Sequence, residues 1–234
     1  GGLALILVAL FFFDARERSR RETSVPVNKE ALPGMTVREA LRDQRIIRIA
    51  LANVVLSTIG SGVSVHLVPI VASTGLDKAD AVAVAASAGV AGLAGKLLAG
   101  VLLDHVEGSI VPYFGYASAA LAFYLLLGTF DSTAALTAGA MVLGFSSGAG
   151  LTISTYLVSR YAGLRNFGAI FGTISSMMMA GTAIGPLLAG RVFDVAGSYA
   201  PLLSAAVPIA AITALLFVGL GPYPEWNTAT KPVD

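Results

Sequence analysis

Long apolar stretches alternate with short polar ones along most of this chain. Six of the stretches predict membrane-spanning helices, because each has about 20 residues with few charges, which is enough to cross a hydrocarbon core of roughly 30 Å. They cover residues 46–71, 79–103, 110–128, 134–161, 167–189 and 198–220. We therefore expect an all-α membrane protein whose residues 46–220 form a six-transmembrane-helix bundle.

The segments outside the bundle complete the domain organisation. Residues 1–13 are apolar but too few to span, so we interpret them as the end of a preceding transmembrane helix. Residues 14–45 are a polar central loop, in which Thr36 and Glu39 have the capping-box spacing that starts a short helix. Residues 221–234 are a tail. The interpretation of residues 1–13 implies that the chain is the C-terminal part of a larger protein.

Basic residues predict the orientation of the bundle. Short cytoplasmic loops are rich in Lys and Arg, and the central loop has eight basic residues: Arg16, Arg18, Arg20, Arg21, Lys29, Arg38, Arg42 and Arg45. We therefore place the loop in the cytoplasm, together with the turn that carries Arg160 and Arg165, and the C-terminal tail. A docking or lipid-binding role is the alternative for the loop. The expected location is the cell membrane (inner or plasma membrane), as a multi-pass protein.

One ten-residue stretch of the chain is repeated with partial identity. The stretch from Gly95 to Asp104 returns from Gly185 to Asp194, with Leu-Leu-Ala-Gly in the middle of both copies. Three predicted spans separate the two aspartates, so Asp104 and Asp194 are expected on opposite membrane faces. A unit repeated in opposite directions is an inverted repeat, on which many secondary transporters are built. The pattern therefore predicts two inverted three-helix repeats.

Composition narrows the function classes. The chain is 56% hydrophobic and only 12% charged, against roughly 25% charged residues in soluble domains. With a net charge of +1, no cysteine and two histidines, we expect no nucleic-acid partner, no metal site and no cofactor. The pattern Gly144-x-Ser-x-Gly148 matches a hydrolase nucleophile motif, but that motif needs a strand before the serine. Here it lies within a predicted helix, so we expect no enzyme.

Polar residues inside the predicted spans are candidates for substrate binding, because in lipid a polar helix face must contact protein or water. Asn53, Ser57, Ser61 and Ser64 share one face of the first span, and Thr152 and Thr155 share one face of the fourth. His66 lies near the outer end of the first span, where it is an interfacial histidine or, alternatively, a substrate contact near an outer gate. The candidate substrate-binding residues are Lys96, Asn53, Ser57, Ser61, His66, Thr152 and Thr155.

Lys96 is the only lysine inside a predicted span. A lysine in the middle of a membrane helix costs roughly 2.5–3.5 kcal/mol unless it is solvated or paired. One interpretation is that it extends toward the cytoplasm or pairs with a residue elsewhere. The other is that it is a cavity cation that attracts an anionic substrate.

Six spans after a basic loop, with the turn Gly100-x-x-x-Asp104 after the second span, resemble the C-terminal half (helices 7–12) of a major facilitator superfamily transporter. In that family the turn continues with basic residues, whereas this chain has His105 and then Glu107 where glycine is expected. The resemblance implies that Gly100 and Asp104 belong to a conformational latch. It also implies a missing N-terminal six-helix half as partner, beside the lipid bilayer.

A finer resemblance is to the monocarboxylate-porter and oxalate–formate-exchanger branch. The residues that carry it are His66, Pro69 and a basic residue, Lys96, four positions before Gly100. That branch receives a substrate carboxylate on a base at this position. The resemblance implies secondary active transport of a small solute, a monocarboxylate-like organic anion. The transport would be symport or antiport with alternating access. The alternative is a non-transporting six-helix membrane module, such as a sensor, a scaffold or a channel subunit.

Overall fold

The computed structural model describes residues 32–106, 108–130, 132–224 and 226. Residues 1–13, expected to end a preceding helix, and the first part of the central loop lie outside the described residues, as does most of the tail. Among the described residues the chain is helical, and the single bridge between extended residues joins Gly34 to Gly163. The helices are α1 (Val37–Ala40), α2 (Gln44–Val65), α3 (Leu67–Ala72), α4 (Lys78–His105), α5 (Ile110–Leu126), α6 (Thr133–Ala162), α7 (Phe167–Ala196) and α8 (Ala200–Leu215).

Four of these helices are long and apolar enough to cross a membrane, namely α2, α4, α6 and α7. Helices α5 and α8 are also apolar but have 17 and 16 residues. At 1.5 Å per residue they reach only about 25 Å, which is short of a core of roughly 30 Å. The structure thus agrees with an all-α membrane fold that has four candidate spans. That α5 and α8 also cross the membrane remains a prediction.

The first predicted span is interrupted. Helix α2 ends at Val65, His66 leaves the helical conformation with φ −96° and ψ 13°, and α3 continues from Leu67. Pro69 accounts for the break, because a proline has no N–H to donate to the carbonyl four residues earlier. The predicted span over residues 46–71 therefore consists of two helical segments, α2 and α3, in the structure.

The fifth predicted span is longer than expected. The predicted span ended at residue 189, but α7 continues through Arg191 and Asp194 to Ala196. It stops at Gly197, which has a φ of +69°, the left-handed conformation that commonly ends helices and favours glycine. The helix continues beyond the end of the apolar run because no residue between Arg191 and Ala196 breaks a helix.

Two pairs of helices approach each other through glycine. In the first pair, a Cβ at Gly144 of α6 would collide with Ala88 O of α4, and a Cβ at Gly148 would collide with Gly92 O. Since contacts advance in the same direction along both helices, α4 and α6 run parallel. Small residues allow such close backbone contact in membrane proteins.

The second pair is α2 with α7. A Cβ at Gly185 of α7 would collide with Thr58 O of α2, and a Cβ at Gly181 would lie 3.1 Å from Val54 O. These contacts also advance in the same direction, so this pair is parallel as well. Helices α5 and α8 pack against the remaining sides of the bundle.

The turns separate into two groups. At one end, Met35 N–H donates to Ala162 O over 2.8 Å, and the Tyr223 hydroxyl donates to Gly108 O over 3.2 Å. At the other end, Thr74 lies against Gly128. The first group contains the turn after Asp104, whereas Asp194 lies on the last turn of α7 at the opposite end.

The segment after α8 is packed onto the bundle rather than free. We call residues 217–224 and 226 the strap. Its carbonyls at Val218 and Gly221 accept hydrogen bonds from Arg48 and Tyr161, over 2.6 and 2.8 Å. Trp226 Nε1 donates to Arg160 O over 3.0 Å. The strap therefore ties α2 to α6 at this end of the bundle.

Candidate functional site

A pocket of about 410 Å³ lies where α2, α3, α4 and α6 meet. Eight of its ten lining residues are glycine, alanine or serine, whose small side chains leave it wide. The lining residues are Ser64, Leu67, Val68, Ala85, Ala88, Gly89, Gly92, Gly144, Ser147 and Gly148. Two further pockets, of about 270 and 300 Å³, are walled almost entirely by apolar side chains. We refer to the first as the central pocket.

Hydroxyl groups give the central pocket its polar character. Ser64 of α2 and Ser147 of α6 are both exposed into it. Among the described residues, neither hydroxyl has a hydrogen-bond partner, so both are free to bind a solute. Ser64 lies on the predicted polar face but was not among the predicted substrate-binding residues. Ser147 was not predicted either, and its only signal in the sequence was its position between Gly144 and Gly148.

Lys96 lies about one turn of α4 beyond Gly92, which lines the central pocket, and is not itself among the lining residues. Gly89, Gly92 and Lys96 share one face of α4, because residues three, four and seven apart on a helix lie above one another. The lysine is exposed, and no carboxylate of the described residues lies within salt-bridge distance of its ammonium group. A free cation thus follows directly after the glycines that line the pocket.

The parallel register brings Thr152 to the level of Lys96. Gly148 packs on Gly92, and Thr152 and Lys96 each lie four residues further on. Thr155 is one turn beyond, and its hydroxyl donates to Leu151 O of its own helix over 2.8 Å. The helix register therefore places Thr152 level with Lys96, and Thr155 about one turn further along α6.

The predicted polar face of α2 is divided. Asn53 is buried at 3% exposure, where Nδ2 donates to Ile49 O over 2.7 Å and Oδ1 accepts from Tyr116 over 2.7 Å. Ser61 donates to Thr58 O over 3.0 Å beside α7, and Ser57 is half-buried between these two environments. Because its polar groups are already bonded inside the bundle, we leave Asn53 out of the proposed site.

His66 connects the break after α2 to two other helices. Its Nε2 lies 3.2 Å from Pro186 O on α7, and its Nδ1 lies 3.1 Å from the Tyr199 hydroxyl at the start of α8. A carbonyl oxygen can only accept, so Nε2 carries the proton and, in the neutral ring, Nδ1 accepts from Tyr199. His66 therefore acts as a structural junction next to Leu67, which lines the pocket, and it does not line the pocket itself.

Gly100 and Asp104 lie beyond Lys96 toward the end of α4. A Cβ at Gly100 would meet no atom within 4 Å, and Asp104 is exposed on the last turn. Within the described residues Asp104 has no hydrogen-bond or salt-bridge partner. The two residues thus present a free surface, and the latch remains a prediction.

Comparison with known families decides the class of this protein. A family model described as Major Facilitator Superfamily matches residues 49–233, which include the whole central pocket and Lys96. The chain belongs to the Major Facilitator Superfamily. Members of this superfamily are generally membrane transporters of small solutes rather than enzymes, so this member is a multi-pass integral membrane protein. No curated protein matches the chain.

Proposed function

We propose that this superfamily member is the C-terminal half of a secondary transporter for a small organic anion, of monocarboxylate type. The observation that supports the proposal is the exposed Lys96, on the same face of α4 as Gly89 and Gly92 of the central pocket and about one turn beyond Gly92. An unpaired lysine within a membrane helix costs roughly 2.5–3.5 kcal/mol, and a bound carboxylate would offset this cost. Ser64, Ser147 and Thr152 supply hydrogen bonds along the path.

The proposed transport cycle is alternating access, with symport or antiport as the coupling. It is supported by equivalent glycines in the two copies of the duplicated stretch. Gly95 of α4 approaches Phe145 of α6, and its counterpart Gly185 of α7 approaches Thr58 of α2. Both contacts join parallel helices, as expected when two three-helix units are related by an inverted two-fold axis.

The second half of the carrier is an N-terminal six-helix bundle, in our proposal. It would cover the open side of the central pocket and the exposed Lys96, and it would supply the partner of the Gly100–Asp104 latch. The basic residues Arg45, Arg160 and Arg165 lie at the end of the bundle that carries Asp104, which favours a cytoplasmic location for that end and for the C-terminus in a cell membrane.

Uptake of organic anions by intact cells that express the full-length protein tests the proposal. Lys96→Ala should lower uptake at least about tenfold, since losing one charge-assisted hydrogen bond is worth about 1.5–3 kcal/mol. Lys96→Arg keeps the charge and should retain part of the activity. Lys78→Ala, at the first residue of α4, is the control and should transport normally. Normal uptake by Lys96→Ala at normal expression would refute the substrate assignment and leave the family unchanged.

A further inference from the structure

Gly89 differs from the other glycines that line the central pocket. Glycines 144 and 148 allow α6 to touch α4, and a Cβ at Gly92 would lie only 3.3 Å from Gly144 O. At Gly89, by contrast, an added Cβ would meet no atom within 4 Å. Helix packing therefore requires Gly92, Gly144 and Gly148 but does not require Gly89.

Backbone conformation does not require Gly89 either. It lies in the interior of α4 and is absent from the glycines with positive φ. In a helix interior glycine is less favourable than alanine. The remaining effect of a glycine here is the space that it leaves in the pocket that it lines.

We propose that Gly89 sets the maximum length of the transported substrate, an inference that rests on the proposed function. Gly89 and Lys96 share one face of α4 seven residues apart, which is about 10 Å along the helix. A carboxylate bound at Lys96 directs the rest of the molecule toward Gly89. The same pocket is lined by the apolar side chains of Leu67 and Val68.

This arrangement defines the substrate class more closely. In this proposal the carboxylate end meets the ammonium group and the Thr152 hydroxyl, while the far end lies beside Gly89, Leu67 and Val68. The geometry therefore fits an unbranched monocarboxylate with an apolar tail rather than a dicarboxylate, whose second charge would lie against Leu67 and Val68. A side chain at position 89 would occupy the space of the tail and would leave the carboxylate end unchanged.

The test is an uptake series in intact cells expressing the full-length protein, with unbranched acids from acetate to octanoate. Gly89→Leu should lower uptake of the longest transported acid at least about tenfold, the range over which pocket volume discriminates, and keep acetate uptake within about twofold of the original. Gly89→Ala should give a smaller shift in the same direction. Gly172→Leu on α7 is the matched control, because that glycine also has no neighbour within 4 Å and lines none of the three pockets.

The outcomes separate the two proposals. If the original protein moves none of these acids, the proposed function fails. If it moves them and both Gly89 variants keep the original chain-length profile, the length limit is wrong and the proposed function stands. Should Gly89→Leu not reach the membrane, Gly89→Ala decides, since its added methyl group has free space and improves helix propensity.

Discussion

Tyr116 of α5 donates a 2.7 Å hydrogen bond to the side-chain oxygen of Asn53 on α2, and both residues are buried. This bond joins two helices across the interior of the bundle. Hydrogen bonds between membrane helices contribute about 0.6 kcal/mol on average and up to ~1.7 kcal/mol. In a double-mutant cycle of Asn53→Ala and Tyr116→Phe, unfolding in detergent should give a coupling energy in this range. A coupling near zero would show that the bond does not stabilise the bundle.

Gly148 and Gly150 lie two residues apart on α6 and predict opposite effects. An added methyl group at Gly148 would collide with Gly92 O, whereas one at Gly150 would meet no atom within 4 Å. Gly148→Ala should therefore destabilise the protein by about 1–3 kcal/mol through overpacking. Gly150→Ala should stabilise it by up to about 1 kcal/mol through helix propensity. Thermal unfolding of the two variants in the same detergent compares them; equal shifts would contradict the close contact of α4 with α6.

Tyr223 in the strap provides a pH-dependent prediction. Burial is the main cause that raises the pKa of its phenol from 10.0 to about 12, assisted by the neighbouring Tyr156 and Tyr161. A raised pKa means that the folded protein favours the neutral phenol. The resulting stabilisation is complete below pH 10 and is lost between pH 10 and 12.

Phenolate absorbance measures this value. The difference between the original protein and Tyr223→Phe should titrate near pH 12 in the folded protein. In denaturant, the same difference should titrate near pH 10. A folded-state difference that already appears near pH 10 would mean that the strap leaves Tyr223 in water.

Two glycines with similar φ values test the contact between the central loop and the turn before α7. Gly163 has φ +72° and ψ −171°, a region that only glycine adopts readily. Gly197 has φ +69° and ψ 4°, which asparagine tolerates. Gly163→Asn should therefore cost on the order of 1–3 kcal/mol more than Gly197→Asn.

Trp226 is the single tryptophan of the chain and reports on this contact. A Cβ at Gly163 would lie 3.2 Å from the Trp226 ring and 2.6 Å from Gly34 Cα. Gly163→Asn should shift the tryptophan fluorescence to longer wavelength, because the ring becomes more exposed to water. Gly197→Asn, at the other end of the bundle, should leave the spectrum unchanged; a shift in both variants would point to general unfolding.

The sequence predicted the long helices well because their signals are local. Residues 79–103 and 134–161 became α4 and α6 with ends only one or two residues away, and the predicted capping box starts α1, where Thr36 and Glu39 exchange both hydrogen bonds. Hydrophobic runs and capping side chains lie within a few positions of the residues that they affect. The break at His66 was harder to predict, because Pro69 follows a break whereas Pro186 and Pro208 lie inside the continuous helices α7 and α8.

The candidate site was harder to predict because it depends on how the helices are rotated. Asn53, Ser57 and Ser61 lie close together on a helix, yet α2 directs the first toward α5 and the last toward α7. The periodicity of polar residues shows which of them share a helix face, but it does not show which other helix that face contacts. The packed strap was missed for the same reason: Tyr223 and Trp226 were visible as aromatic residues in a tail, but their acceptors Gly108 and Arg160 are distant in sequence.

The contact of Gly148 with Gly92 also limits how this chain can vary. A side chain that obstructs another side chain can be accommodated when the second one becomes smaller. Here the obstacle is a peptide carbonyl, which every amino acid possesses, so no replacement on α4 makes room. We expect natural variants of this protein to differ freely on the outer faces of α4 and α6 and to retain glycine at position 148, with no compensating partner at position 92.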